Sequence, residues 1–189
     1  MPKPTKAVSG GCTRLPGRSL ASTMCRISIR KKNSAGVCST APLGARVLLR
    51  MAANTLIDTS AMIALLNRAE PAHVDCVEAL GAVALPLGVT QAVLTELFYF
   101  VGEDRRRRED AWRLISSEII ENLAITSVDF PRLEALMAKY ADRPMDYADA
   151  TLVHCGDRQG IATILTLDRS DFATYRMSGR RKFLVLPSR

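Results

Sequence analysis

The chain has 189 residues and carries 26 Lys and Arg against 19 Asp and Glu, but ten of those bases and none of the acids fall in residues 1–50. Residues 51–189 are therefore mildly acidic, with 16 bases and 19 acids, so the overall basicity gives no reason to expect nucleic-acid binding from global charge. No apolar run reaches the roughly 18 residues needed to cross a bilayer, and five cysteines without a C-x-x-C pair fit a reducing cytoplasm better than a disulfide scaffold or a zinc site.

Residues 1–50 are rich in Ser, Arg, Gly and Pro and lack apolar periodicity until RVLLR at 46–50. They read as a basic, disordered extension, or as sequence upstream of a start at Met51. Their Arg- and Ser-rich, acid-free composition also resembles an organellar transit peptide. The folding pattern belongs to a domain spanning 51–189.

Within that domain, short β-rich runs alternate with helical patterns. NTLID (54–58) reads as a buried strand, and SAMIALLNR (60–68) as a helix with Thr59 or Ser60 as its N-cap. PAHVDCVEAL (71–80) is a second helix and ALPLGVT (84–90) a second strand. QAVLTELFYFV (91–101) places Val93, Leu94, Leu97 and Val101 on one helical stripe. Gly102 ends it. RRRREDAWRLISSEI (105–119) reads as an amphipathic helix with Trp112 and Ile115 inward, and LAITSV (123–128) as a strand. A helix from Asp129 to Tyr140 follows, then one from Asp146 to about Gln159, a strand IATILTLD (161–168) and a last strand KFLVLP (182–187). This alternation predicts an α/β fold of three layers, α/β/α, with a central parallel β-sheet built from right-handed crossover units.

Ligands of such sheets sit beyond the carboxyl ends of the strands, and the acids sort by that rule. Asp58 ends the first predicted strand and Asp168 the fourth, while Glu96 lies early in the helix after the second. In MDYADA (145–150), Asp146 and Asp149 open the helix that precedes the fourth strand. Asp146 is placed to cap backbone N–H groups, which leaves Asp149 for the crevice. Carboxylates gathered from distant segments repel and raise one another's pKa, a conflict that a divalent cation resolves. Oxygen-only ligands suit Mg²⁺, with Mn²⁺ as the alternative, better than Zn²⁺. Such a cation can lower the pKa of a bound water. His73 and His154 stand alone in sequence and read as structural or exposed. The chain contains no G-x-x-x-x-G-K-[ST], G-x-G-x-x-G or G-x-S-x-G, so P-loop, dinucleotide and serine-hydrolase chemistry have no motif to rest on.

LIDTSAMIALL, TELFYFV, MDYADATLV and ILTLDRSDF, in that order, together resemble the PIN-domain ribonucleases, most closely the VapC-type toxins of bacterial toxin–antitoxin pairs. The resemblance covers about residues 54–187. It implies a PIN-like domain, with Asp58, Glu96, Asp149 and Asp168 as catalytic metal ligands for Mg²⁺ or Mn²⁺ and hydroxyls of Thr59 or Ser60 and of Thr166 in support. It further implies endoribonuclease activity on RNA, restraint by a cognate antitoxin protein, a homodimer and a cytoplasmic location. Asp171 is open between an auxiliary acid and a turn residue. Arg105–Arg108 is open between a solvated helix start and RNA or antitoxin contact, and the hairpin-like RMSGRRK (176–182) between solvated surface and phosphate contact. A competing reading from another class is a catalytically silent PIN fold kept as a binding or assembly subunit.

Overall fold

The computed structural model describes residues 52–143 and 145–188, so the reading of residues 1–50 as an extension ahead of Met51 lies outside the described residues. The described strands are β1 (Thr55–Ile57), β2 (Leu87–Thr90), β3 (Ile120–Leu123), β4 (Thr163–Leu165) and β5 (Leu184–Leu186). They form one sheet in the order β3-β2-β1-β4-β5, with every neighbouring pair parallel. Helices α1 (Thr59–Leu66) and α2 (His73–Ala82) connect β1 to β2, and α3 (Gln91–Val101) and α4 (Arg105–Ile115) connect β2 to β3. Helices α5 (Phe130–Lys139) and α6 (Tyr147–Gln159) return the chain to β4, and α7 (Arg169–Thr174) precedes β5. This is the expected parallel α/β architecture.

Strand order positions the site. From β1 the chain steps outward through β2 to β3, then returns to β4 on the other side of β1. The direction of winding therefore reverses between β1 and β4. With right-handed crossovers, helices before and after that reversal cover opposite faces of the sheet. A crevice opens at the reversal, beyond the carboxyl ends of the two strands. Asp58 follows β1 directly and Asp168 lies three residues after Leu165, the last residue of β4.

Leu56, Ile57, Leu87, Val89, Ile164 and Leu165 are fully buried, because strands covered on both faces need apolar residues at consecutive positions. Helix α6 is buried from Ala150 to Gly156. It lies close to the strand ends at Gly156, where an added Cβ would come within 2.9 Å of the Ile161 carbonyl oxygen and 3.0 Å of the Phe183 ring. Gly160 ends α6 in the left-handed conformation at φ 74°, where a residue lacking Cβ is favoured.

Several local expectations are corrected. The third strand is Ile120–Leu123, not 123–128. Its register pairs Leu87 with Ile120 and Thr90 with Leu123, and Thr126 turns out of the sheet to form a capping box with Asp129. Helix α4 stops at Ile115, with Ala111 and Leu114 inward. Trp112 is 57% exposed and rests its ring on Phe98 at 4.9 Å. The N-cap of α1 is Asp58 rather than Thr59 or Ser60, and its carboxylate makes no capping hydrogen bond. Helix α7 was not anticipated, and β4 and β5 are shorter than their apolar runs.

The two histidines are structural, as their isolation suggests. His73 Nδ1 lies 2.7 Å from the Ala64 carbonyl oxygen. His154 Nε2 lies 2.8 Å from Asp129 Oδ1, and Arg158 reaches both oxygens of that carboxylate at 3.2 Å. Hydrogen bonds from Thr126, with His154 and Arg158 beside it, hold Asp129 well below the usual carboxylate range. This buried cluster ties α6 to the turn after β3. Among the described residues no helix is long and apolar enough to cross a membrane.

Candidate active site

A cavity of about 340 Å³ opens at the reversal of the sheet, and six acids line it: Asp58, Glu96, Asp146, Asp149, Asp168 and Asp171. The four carboxylates expected from sequence are therefore brought together from β1, α3, α6 and the segment after β4. Ile63 and Phe100 supply apolar wall. No Lys or Arg is among the described lining residues, although Arg143 approaches Asp171 to 3.9 Å at the exposed rim. A larger hollow of about 620 Å³ lies between α5 and the start of α6, lined by Phe130, Leu133, Met137 and Tyr147. Its described wall holds a single titratable carboxyl, Glu134, and offers no group for hydrolysis. The smaller, acidic cavity is the site with chemistry.

Each acid is held by its surroundings. Asp58 is buried, and its Oδ2 accepts hydrogen bonds from Ser60 Oγ at 2.7 Å and Thr166 Oγ1 at 2.8 Å. Ser60 Oγ also accepts the Leu167 N–H at 2.9 Å, and Thr166 Oγ1 accepts the Asp168 N–H at 2.9 Å. The two hydroxyls thus bind the ends of β1 and β4 into one unit. Thr59 Oγ1 donates to Glu96 Oε2 at 2.7 Å, fastening α3 to the start of α1. The hydroxyls of Thr90 and Thr151, 2.7 Å apart and fully buried, join the end of β2 to α6.

Helix α6 enters the site through MDYADA. Asp146 accepts the Asp149 N–H at 2.7 Å, which is the capping role expected of it. The same residue lines the cavity, so capping and proximity to the site are not exclusive. Asp149 in turn receives the Tyr175 hydroxyl on Oδ2 at 3.0 Å. Tyr175 is fully buried and escaped sequence reasoning, because nothing in the spacing of DFATYRM links it to a residue 26 positions earlier.

The electrostatics follow from this crowding. Burial, with Asp146 and Asp58 adding repulsion, pushes the Asp149 carboxyl up to about 8 against the opposing hydrogen bond from Tyr175. Glu96 is raised by burial and by Asp146 and Asp58, while the Thr59 hydroxyl opposes the shift. Asp168 is raised by burial, then by Asp58 and Asp171. These are shifts a cation would reverse.

The donor chemistry fits a hard divalent ion, since every titratable ligand candidate is a carboxylate. Among the described residues no three of these acids stand close enough to ligate an ion as placed. Neither basic segment lines this cavity. Arg105 pairs with Glu109 and Arg108 Nε donates to the Gly102 carbonyl oxygen. Arg181 pairs with Asp157 at 3.3 Å, eight residues and so about 12 Å along α6 from Asp149.

Comparison with known proteins shows the family. The PIN domain family model matches residues 55–176. Over 136 residues the chain is 34% identical to Ribonuclease VapC26 of Mycobacterium tuberculosis, covering 70% of this chain and 99% of that protein. It is also similar in fold to the crystal structure of Mycobacterium tuberculosis VapC20, a Sarcin-Ricin loop cleaving toxin. That likeness has a TM-score of 0.55 at 17% identity and covers 61% of this chain and 90% of the other. VapBC2 from Rickettsia felis, bound to a DNA fragment from their promoter, gives a TM-score of 0.47 at 15% identity over 62% of this chain and 90% of that one.

Proposed function

The chain belongs to the PIN-domain family, and we propose that it is a metal-dependent endoribonuclease, the toxin of a toxin–antitoxin pair. The reading rests on one observation above all: six carboxylates from separate segments share one cavity at the winding reversal, and three of them are pushed toward the neutral form. A silent binding module has little use for such repulsion. The similarity to a ribonuclease over almost its whole length supports the same conclusion.

In this proposal Asp58, Glu96, Asp149 and Asp168 hold Mg²⁺ or Mn²⁺. The ion would lower the pKa of water and neutralise charge that develops on the phosphodiester. The chain's own residues set the geometry for this chemistry. Ser60 and Thr166 orient Asp58, Thr59 orients Glu96, and the Asp146 cap fixes the backbone that carries Asp149. Ile63 and Phe100 give the acidic cleft an apolar side. A small antitoxin would restrain the enzyme in the cytoplasm, and a homodimer is the proposed assembly. Induction of the full chain without the neighbouring small gene should arrest growth, with arrest relieved by Asp58→Asn. Arrest that persists with Asp58→Asn, or no arrest at all, would contradict the proposal.

A pH dependence follows from Asp149. Its carboxyl titrates near 3.8 when unperturbed and at about 8 in the folded chain, so between these values the native state holds a proton that the unfolded chain has released. Stability from this group is complete below about pH 4 and is lost as pH rises toward 8. Apo protein should accordingly melt at progressively lower temperature from pH 6 to pH 8. Saturating Mn²⁺ should flatten that slope, because the cation takes the place of the proton. Thermal melts at several pH values, with and without Mn²⁺, read both effects. An apo melting temperature that rises over this interval would refute the assignment.

A further inference from the structure

Tyr175 has no part in the proposed ligand set, yet it is the buried side chain that reaches it from the least expected direction. Its ring is fully buried and lies edge-on to two neighbours, Tyr140 at 5.1 Å and Phe172 at 5.4 Å. Phe172 packs in turn on Phe183 at 5.7 Å. The Tyr140 hydroxyl accepts the Arg176 N–H at 2.9 Å, and the Tyr175 N–H is held by the Asp171 carbonyl oxygen at 2.9 Å. Backbone and ring are thus fixed on both sides, so the phenol oxygen has little freedom to point elsewhere. It points to Asp149 Oδ2 at 3.0 Å.

Resting on the nuclease reading above, we propose that Tyr175 is a positioning residue that presents Asp149 to the catalytic cation through its phenolic O–H. Asp149 is held at two points: its N–H by Asp146 and one carboxylate oxygen by Tyr175. A carboxylate tethered in this way keeps its second oxygen aimed along one direction, which removes a rotation that binding would otherwise have to freeze. Asp58 and Glu96 are each steadied by hydroxyls beside them at the start of α1. For Asp149 that service comes from the residue that directly follows α7, by way of the aromatic cluster of Tyr140, Phe172 and Tyr175. The integrity of that cluster is therefore coupled to the site.

Tyr175→Phe tests the proposal in the full chain, since it keeps the ring contacts and removes only the O–H. Mn²⁺ binding by titration calorimetry should weaken about tenfold, the scale seen when a partner of a metal ligand is lost. The kcat for RNA cleavage should fall by a similar factor, with KM for RNA nearly unchanged. In an Asp149→Asn background, Tyr175→Phe should produce no further loss of Mn²⁺ affinity, because the charged ligand that its O–H orients is gone. Wild-type affinity and kcat in Tyr175→Phe would overturn the proposal, as would equal losses with and without Asp149, which indicate a general effect on the fold. Should Tyr175→Phe fail to fold, the O–H is needed for the fold itself and the proposal is likewise overturned. A wild-type chain that neither binds Mn²⁺ nor cleaves RNA would defeat the nuclease reading itself, an outcome distinct from a selective failure of the Tyr175 variant.

Discussion

Asp149→Asn is expected to lower Mn²⁺-dependent RNA cleavage by more than about 100-fold, beyond the usual cost of losing a mere partner of a ligand, while leaving the apo protein folded. Asn keeps an oxygen to accept the Tyr175 hydroxyl and the same size, so the contacts behind the residue survive. It lacks the negative charge that a cation requires. The same change removes the group whose pKa is driven to about 8, and the apo variant should therefore outlast the wild type in thermal melts above neutral pH. Asp146 gives the internal control. Asp146→Asn keeps an oxygen to cap the Asp149 N–H and should retain most of the activity. Asp146→Ala should cost about 0.5–2 kcal/mol of stability through the lost cap. Equal inactivity of Asp146→Asn and Asp149→Asn at unchanged stability would mean that both carboxylates serve the cation.

The second large effect is expected at Asp58, where Asn and Ala should part company. Both remove a charged ligand and both should suppress cleavage by more than about 100-fold. Asn can still accept from Ser60 and Thr166, so its apo form should be as stable as the wild type or slightly more stable through relief of repulsion. Ala leaves two hydroxyls at the junction of β1 and β4 without their acceptor. That loss should destabilise the protein by about 1–3 kcal/mol, the usual cost of an unsatisfied buried polar group. Denaturant unfolding of both variants separates the roles. An Asp58→Asn protein as unstable as Asp58→Ala would make the negative charge itself structural.

The sequence made the site's position legible because it lies where topology alone places ligands. Asp58 and Asp168 follow strands, Asp149 lies in the first turn of α6 and Glu96 in the second turn of α3, so coarse element boundaries were enough to bring them to one rim. Boundaries themselves were less legible. LAITSV looked more strand-like than IENL, but pairing with β2 selects Ile120–Leu123, and Thr126 is drawn into a cap by Asp129. The amphipathic pattern of α4 leaves its exact facing open by one position: Ala111 and Leu114 are the residues it buries, and the Trp112 ring lies over Phe98. Tyr175 could not be read from spacing at all, since its contact with Asp149 arises from tertiary packing that brings the end of α7 to the start of α6. Side chains that act across the fold leave no periodic trace.

The account's central claim is that occupancy of the acidic cavity by a divalent cation drives RNA cleavage. Its most direct measurement follows initial cleavage rate and thermal stabilisation of the full chain over one Mn²⁺ titration begun from protein stripped with EDTA. Stabilisation should grow as RT ln(1 + [L]/Kd), and the Kd it yields should equal the half-saturating Mn²⁺ concentration of cleavage, with the Kd raised and cleavage lowered by more than about 100-fold in Asp149→Asn. Cleavage that persists in EDTA, or that stays near the wild-type rate in Asp149→Asn, would contradict the claim.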